Sequence, residues 1–171
     1  LNAARRMESV EVLQSESAFE IDIDGVPLRG RIDRIDATPQ GPLIRDYKTG
    51  SPTLKSAEQF DEVQLDTYLL AAPDAAGAVF ERLRKGDAVG FVLDDLDLKG
   101  RSILRLDREQ LDARRDRMRG IVASVAAAVR EGRVAVAPRD PEKCTRGQCD
   151  GFDLCRVARA RWLAKSGRRE T

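Results

Sequence analysis

The residues best equipped for chemistry lie between Gly30 and Gly50, in the run GRIDRIDATPQGPLIRDYKTG. It holds Asp33, then a turn, then Asp46-Tyr47-Lys48. Carboxylate oxygens are hard donors. Two of them suit Mg²⁺ or Mn²⁺, ions that keep several waters beside one or two carboxylates. Such an ion can generate a nucleophile from bound water and stabilise charge growing on phosphate oxygens. An ammonium group nearby, here Lys48, can orient that water or neutralise the phosphate. The chemistry this points to is phosphodiester hydrolysis. The plain alternative is a solvated surface strand that carries Asp, Lys and Arg without function, since charged residues usually sit exposed.

The elements that must position these groups are short and strongly marked. Residues 28–36 and 43–48 read as strands, and the segment Ala37-Thr38-Pro39-Gln40-Gly41-Pro42 between them is rich in turn residues. So short a loop joins antiparallel strands. Side chains two apart on a strand share a face, so Asp46 and Lys48 point one way and Tyr47 the other, with Asp33 in reach on the partner strand. Residues 18–24 alternate, with Phe19, Ile21 and Ile23 inward and Glu20, Asp22 and Asp24 outward. Gly25-Val26-Pro27 turns that strand into the next, so three strands form a meander. A helix is expected over 57–72, ending before Pro73, and Gln64 and Tyr68 share one of its faces.

The pattern Gly30-x-x-Asp33-Arg34-x-Asp36, followed by Asp46-Tyr47-Lys48-Thr49-Gly50 and Gln64-Leu65-Asp66-Thr67-Tyr68, resembles the PD-(D/E)xK nuclease superfamily. It is most similar to the RecB-like branch, with the AddB nuclease domain and CRISPR-associated exonucleases. The resemblance covers about residues 19–70. It implies an α/β restriction-endonuclease-like core, a central mixed sheet of about four strands flanked by helices. It implies metal binding by Asp33 and Asp46, catalysis by Lys48 with Gln64 and Tyr68, and DNA contact by Arg34 and Tyr68. It also implies an Mg²⁺- or Mn²⁺-dependent exonuclease that works on DNA with a helicase domain or subunit in recombination or repair. RecB-like nucleases usually carry a histidine before the first strand, and this chain has none.

Composition sets the bounds. The 171 residues suffice for one domain with a real core. The charged fraction is 35%, yet the net charge is +1, so any contact with nucleic acid needs a local patch. No apolar run approaches a membrane helix and the start does not resemble a secretory signal, which points to a cytoplasmic protein with no membrane partner. The chain begins with Leu1, which reads as a piece of a larger protein.

Farther along, residues 1–15 are weakly patterned and read as the tail of a helix or an arm. Residues 88–94 and 102–106 read as strands. Asp107 with Gln110 resembles a capping box opening a helix to about Arg130, ended near Gly132. Leu111, Met118, Val122, Val125 and Val129 form its apolar stripe. Arg114, Arg115, Arg117 and Arg119 could track a phosphate backbone, although Asp112 and Asp116 favour pairing within the helix.

The tail carries all the cysteines, in the pattern Cys144-x4-Cys149-x5-Cys155. An odd count argues against a disulfide framework, and clustered thiols point to a metal or iron–sulfur site. The RecB-like branch often holds a [4Fe–4S] cluster with such a C-terminal group and one distant upstream cysteine, usually with two residues between the first pair. By that resemblance either the fourth cysteine and the histidine lie upstream of Leu1 or the site is altered. Zinc is the other option, and three free thiols the plain one. The expected organisation is a nuclease core over 1–137 and a cysteine-bearing segment with a last helix over 138–171.

Overall fold

The structure is a computed structural model that describes residues 11–49, 63–98 and 102–133. Its element order is β1 (Val12–Ile23), β2 (Val26–Asp36), β3 (Leu43–Lys48), α1 (Val63–Ala71), β4 (Gly77–Arg82), β5 (Asp87–Leu93), β6 (Ser102–Leu106) and α2 (Arg108–Arg130). The strands form one sheet in the order β1-β2-β3-β4-β5-β6. β1, β2 and β3 are antiparallel neighbours, as the meander requires. β3 pairs with β4 in parallel, β4 with β5 antiparallel, and β5 with β6 in parallel. The sheet is therefore mixed. A parallel pair needs a crossover, and α1 lies in the one between β3 and β4.

The expected α/β architecture holds, and the described residues form six strands, one more than the five read from the sequence and two more than the family core of about four. The clearest addition is β4. All but its last residue are buried, and no alternation marks it, because a central strand covered on both faces reads as a continuous apolar run. β1 starts at Val12, so the described part of the expected arm is strand. Its first residues are exposed on an edge, where no burial imposes a pattern, and its register shifts between Val12 and Gln14.

The first hairpin turns one residue earlier than expected. Asp24 and Gly25 have φ of 53° and 78°, the positive pair that a two-residue turn of matching twist demands. Asp22 Oδ1 accepts a bond from the Gly25 N–H at 2.9 Å. Val26 and Pro27 already belong to β2. Pairing of β2 with β3 covers only Arg34 to Asp36, so Pro27 withholds no N–H from that side.

The core lies around the central strands, with Ile44, Phe80, Phe91, Leu65, Leu69 and Leu111 at 2% exposure or less. α2 opens as its capping box foretold. The Gln110 N–H donates to Asp107 Oδ1 at 2.8 Å, and the Asp107 N–H to Gln110 Oε1 at 3.0 Å. Its buried positions are Leu111, Arg115, Met118 and Val122. Val125 and Val129 are 58% and 60% exposed, so the apolar stripe stops short of the expected length. The chain divides into two compact units, Leu1–Ala127 and Ala128–Thr171. In the second, the described residues close α2, with Gly132 at φ 67° and the Arg133 N–H on Ala128 O at 2.8 Å. Among the described residues no helix is long and apolar enough to cross a membrane.

A buried ion network joins three strands. Asp36, fully buried, accepts from Arg34 Nε and Arg45 Nε at 2.5 Å each, and Arg45 Nη1 reaches Glu81. Breaking such a network by removing one member leaves uncompensated charge. Arg45→Met is therefore expected to lower unfolding free energy by about 3–5 kcal/mol. Urea denaturation followed by circular dichroism checks it, and a loss under about 1 kcal/mol would show that the network does not hold the strands.

Candidate active site

β3 does what its alternation requires. Asp46 and Lys48 share a face, while Arg45 joins the ion network on the other. Asp46 is 3% exposed. The ladder between β2 and β3 ends at Arg34 and Arg45. Just past it, Asp33 Oδ2 accepts a bond from the Tyr47 N–H at 2.9 Å, a side chain doing the work of a strand carbonyl. Asp33 is thus tied to β3 beside Asp46, at the point where two strands part.

α1 closes the site from the neighbouring layer. Gln64 and Tyr68, one turn apart, both reach Asp46. Gln64 Nε2 donates to Asp46 Oδ1 at 2.9 Å and to the Tyr68 hydroxyl at 2.7 Å. The Tyr68 hydroxyl donates to Asp46 Oδ1 at 3.0 Å. Gln64 Oε1 accepts from Lys48 Nζ at 2.9 Å. The amide is oriented by charge, with its oxygen on the cation and its nitrogen on the anion. Lys48 Nζ also lies 4.8 Å from the centre of the Phe80 ring.

Burial pushes the Tyr68 phenol up to about 12, and the Asp46 and Asp33 charges add to it against the opposing Gln64 bond. The phenol therefore keeps its proton and acts as a donor.

Asp46 Oδ2 stands apart. Lys48 Nζ is 2.6 Å from it, yet no hydrogen bond reaches this buried oxygen. The two observations agree if the ammonium approaches off the donor direction, so that the contact is ionic only. A buried carboxylate oxygen lacking a donor is costly unless a cation faces it. Lys48 is that cation here, so the fit to a hard divalent ion rests on the donor set itself, the carboxylates of Asp33 and Asp46 held beside each other. Among the described residues no group of three or more His, Cys, Asp or Glu could hold a metal. Two carboxylates are enough for an ion that keeps water and substrate oxygens in its shell.

Asp33, Asp46, Lys48, Gln64 and Tyr68 are brought together, and Arg34 is not. It sits at 15% side-chain exposure with its Nε on Asp36. Burial works against its charge, but Asp36 and Tyr47 together outweigh that and raise its pKa. Of the α2 arginines, Arg115 and Arg119 pair within the helix, with Asp112 and Asp116, while Arg114 and Arg117 reach Asp66 of α1. Cys144, Cys149, Cys155 and the last helix lie outside the described residues.

One support, the Phe19 ring, escaped the sequence reading. Phe19 lies across Gly30, where a Cβ would come within 2.5 Å of its ring. The same ring meets Tyr68 edge-on, with centroids 6.2 Å apart. The glycine that opens the motif makes room for the ring against which Tyr68 rests. Its signal was present as Gly30 in a strand, since glycine inside a strand often marks a close approach.

The PD-(D/E)XK nuclease superfamily model matches residues 1–156 of the chain. Among solved structures the chain is similar to the crystal structure of SSO0001, with 14% identity, a TM-score of 0.42 and coverage of 91% of this chain. The chain spans 65% of that structure's length. No curated protein matches.

The site makes a pH prediction. Tyr47 and Tyr68 are the only tyrosines, so Tyr47→Phe leaves Tyr68 as a single probe. Its ultraviolet titration is expected near 12, and Asp46→Asn should bring it back toward the ordinary value of about 10. The folded pKa is the higher one. The stabilisation is therefore complete below about pH 10 and is lost as pH rises through the folded value. A Tyr68 that titrates normally with Asp46 intact would contradict the network.

Proposed function

Because this chain belongs to the PD-(D/E)XK nuclease superfamily, we propose that it is a metal-dependent DNA nuclease of the RecB-like type. It hydrolyses phosphodiesters as an exonuclease, together with a helicase domain or subunit, in cytoplasmic DNA recombination or repair. The observation that carries the reading is the cluster on Asp46. The buried Asp46 carboxylate has Lys48 Nζ 2.6 Å from one oxygen and Gln64 and Tyr68 on the other, and Asp33 is tied in through the Tyr47 N–H. The branch assignment draws support from Gln64 and Tyr68, which both bond to Asp46. Helicase, exonuclease mode and repair setting rest on resemblance of the motifs alone.

Each residue then has a role that follows from its position. Asp33 and Asp46 would hold Mg²⁺ or Mn²⁺, which would supply water activation and offset charge on the phosphate. Gln64 bridges Lys48 and Asp46 and sets their spacing. Tyr68 keeps its proton and pins Oδ1, which leaves Oδ2 to face a cation. Lys48, about one-third exposed, orients the attacking water or faces the phosphate charge.

A second reading is a nuclease fold that holds DNA without cutting it. The absence of any histidine favours it, since RecB-like sites usually use one. The deciding experiment incubates the purified chain with linear single- and double-stranded DNA and Mg²⁺ or Mn²⁺, beside Lys48→Ala. Metal-dependent cleavage that falls by about 10²-fold or more in the variant is expected. DNA binding with no cleavage in either metal would favour the second reading.

We also propose a [4Fe–4S] cluster on Cys144, Cys149 and Cys155 with a fourth cysteine from outside this chain. In a longer, anaerobically purified protein, elemental analysis should find iron and the spectrum a chelator-resistant brown absorbance. Zinc in its place would sink the iron–sulfur assignment.

A further inference from the structure

α1 carries a fully buried acid that the proposed chemistry does not use. Asp66 lies two residues after Gln64 and two before Tyr68, and its exposure is 0%. Its partners come from α2. Arg114 Nε donates to Asp66 Oδ1 at 2.8 Å and Arg114 Nη2 to Oδ2 at 3.2 Å, a two-pronged grip. Arg117 Nη2 donates to Oδ2 at 3.0 Å. The Arg114 guanidinium lies 4.3 Å from the centre of the Phe91 ring, so β5 backs the grip. Arg115, between these two, donates to Leu69 O at 3.2 Å and Ala75 O at 3.1 Å. Those carbonyls belong to the end of α1 and the loop after it, where no helical N–H follows.

Residues two apart on a helix point in directions about 200° apart. Asp66 is therefore turned away from both Gln64 and Tyr68. A directional bond on that side sets the rotation of α1 about its axis, which apolar packing alone leaves adjustable. The rotation matters, because Gln64 and Tyr68 must both meet one oxygen of Asp46.

We propose that Asp66, Arg114 and Arg117 are positioning residues for the reaction at Asp46. Their ion cluster locks α1 in the rotation that lets Gln64 and Tyr68 hold the carboxylate. The kinetic consequence rests on the nuclease reading, while the geometric one does not.

The test compares Asp66→Asn, Arg114→Gln and Arg117→Gln with Val92→Ala, a core truncation on β5. Three readouts are taken well below the melting temperature. They are the Gln64 side-chain amide signal in ¹⁵N NMR (assigned through Gln64→Ala), Mn²⁺ affinity by calorimetry, and kcat and KM on linear DNA. In the cluster variants the Gln64 signal should move toward that of an exposed glutamine and Mn²⁺ affinity should weaken. A fall in kcat of about tenfold or more is expected with little change in KM. Val92→Ala should lower only the melting temperature. Cluster variants that lose melting temperature yet keep the wild-type Gln64 signal and Mn²⁺ affinity would overturn the proposal. If Asp66→Asn does not fold, Arg117→Gln carries the test, because it leaves Arg114 on Asp66. If the wild-type chain binds Mn²⁺ but cuts no DNA, the nuclease reading falls, and the amide signal and affinity still decide the role of the cluster.

Discussion

A carboxylate at 3% exposure must be compensated by the protein itself, and much of this structure answers that demand at Asp46. One oxygen takes two donors from α1, Gln64 and Tyr68. The other faces an ammonium without receiving a hydrogen bond. The helix has to lie where it does for the first oxygen to be satisfied. β4 has to pair in parallel with β3, with Asp46 beside Phe80, for Lys48 to rest near that ring. The parallel pairing in turn needs the crossover in which α1 lies. The site and the connectivity of the sheet are thus consequences of one another.

The same three strands carry a second set of buried charges, and the contrast separates structure from chemistry. Arg34, Asp36, Arg45 and Glu81 alternate cations and anions across β2, β3 and β4, and both Asp36 oxygens are bonded. They stitch the strands where the pairing of β2 with β3 is only three residues deep. Across the sheet, Asp46 keeps an oxygen with no donor. A buried carboxylate fully spent on neighbours is a brace. One whose second oxygen meets only a partly exposed ammonium, next to a second carboxylate, can exchange that cation for a metal ion and do work. Arg45 and Asp46 are consecutive residues that serve the two purposes because a strand alternates its faces.

What could be read from the sequence was local. The hairpin that carries Asp33 and Asp46 followed from turn residues, the shared face of Asp46 and Lys48 from a period of two, that of Gln64 and Tyr68 from one helical turn. The cap of α2 is likewise a three-residue relation. What escaped depends on burial or on distance. β4 is covered on both faces and so shows no period. Asp33 joins the site by capping the Tyr47 N–H where a ladder breaks off, and no spacing encodes that. Arg34 stands beside Asp33 in the motif, yet its Nε is bonded to Asp36 and its Nη2 is buried without a hydrogen-bond partner, so it does not face the site. Val125 and Val129 keep the helical spacing of an apolar stripe, but spacing alone does not say whether a surface meets them.

The Asp66 cluster shows why a motif is less than a site. Gln64 and Tyr68 can be recognised because four residues separate them, but spacing on a helix fixes only their angle to each other. It leaves open the angle of the helix to the sheet. That angle needs an anchor on another side of α1, and the anchor must come from elsewhere in the chain. Here it lies 48 residues downstream, at Arg114. A carboxylate buried at position 66 costs stability unless cations meet it. Arg114 and Arg117 are one turn apart, so a single face of α2 supplies both. The arginines that look like a basic stripe for phosphate are therefore divided in use. Two hold α1 and one, Arg115, is buried at its end, while Arg119 remains exposed and paired within its own helix. Any nucleic-acid surface on α2 has to be built from what this internal work leaves over.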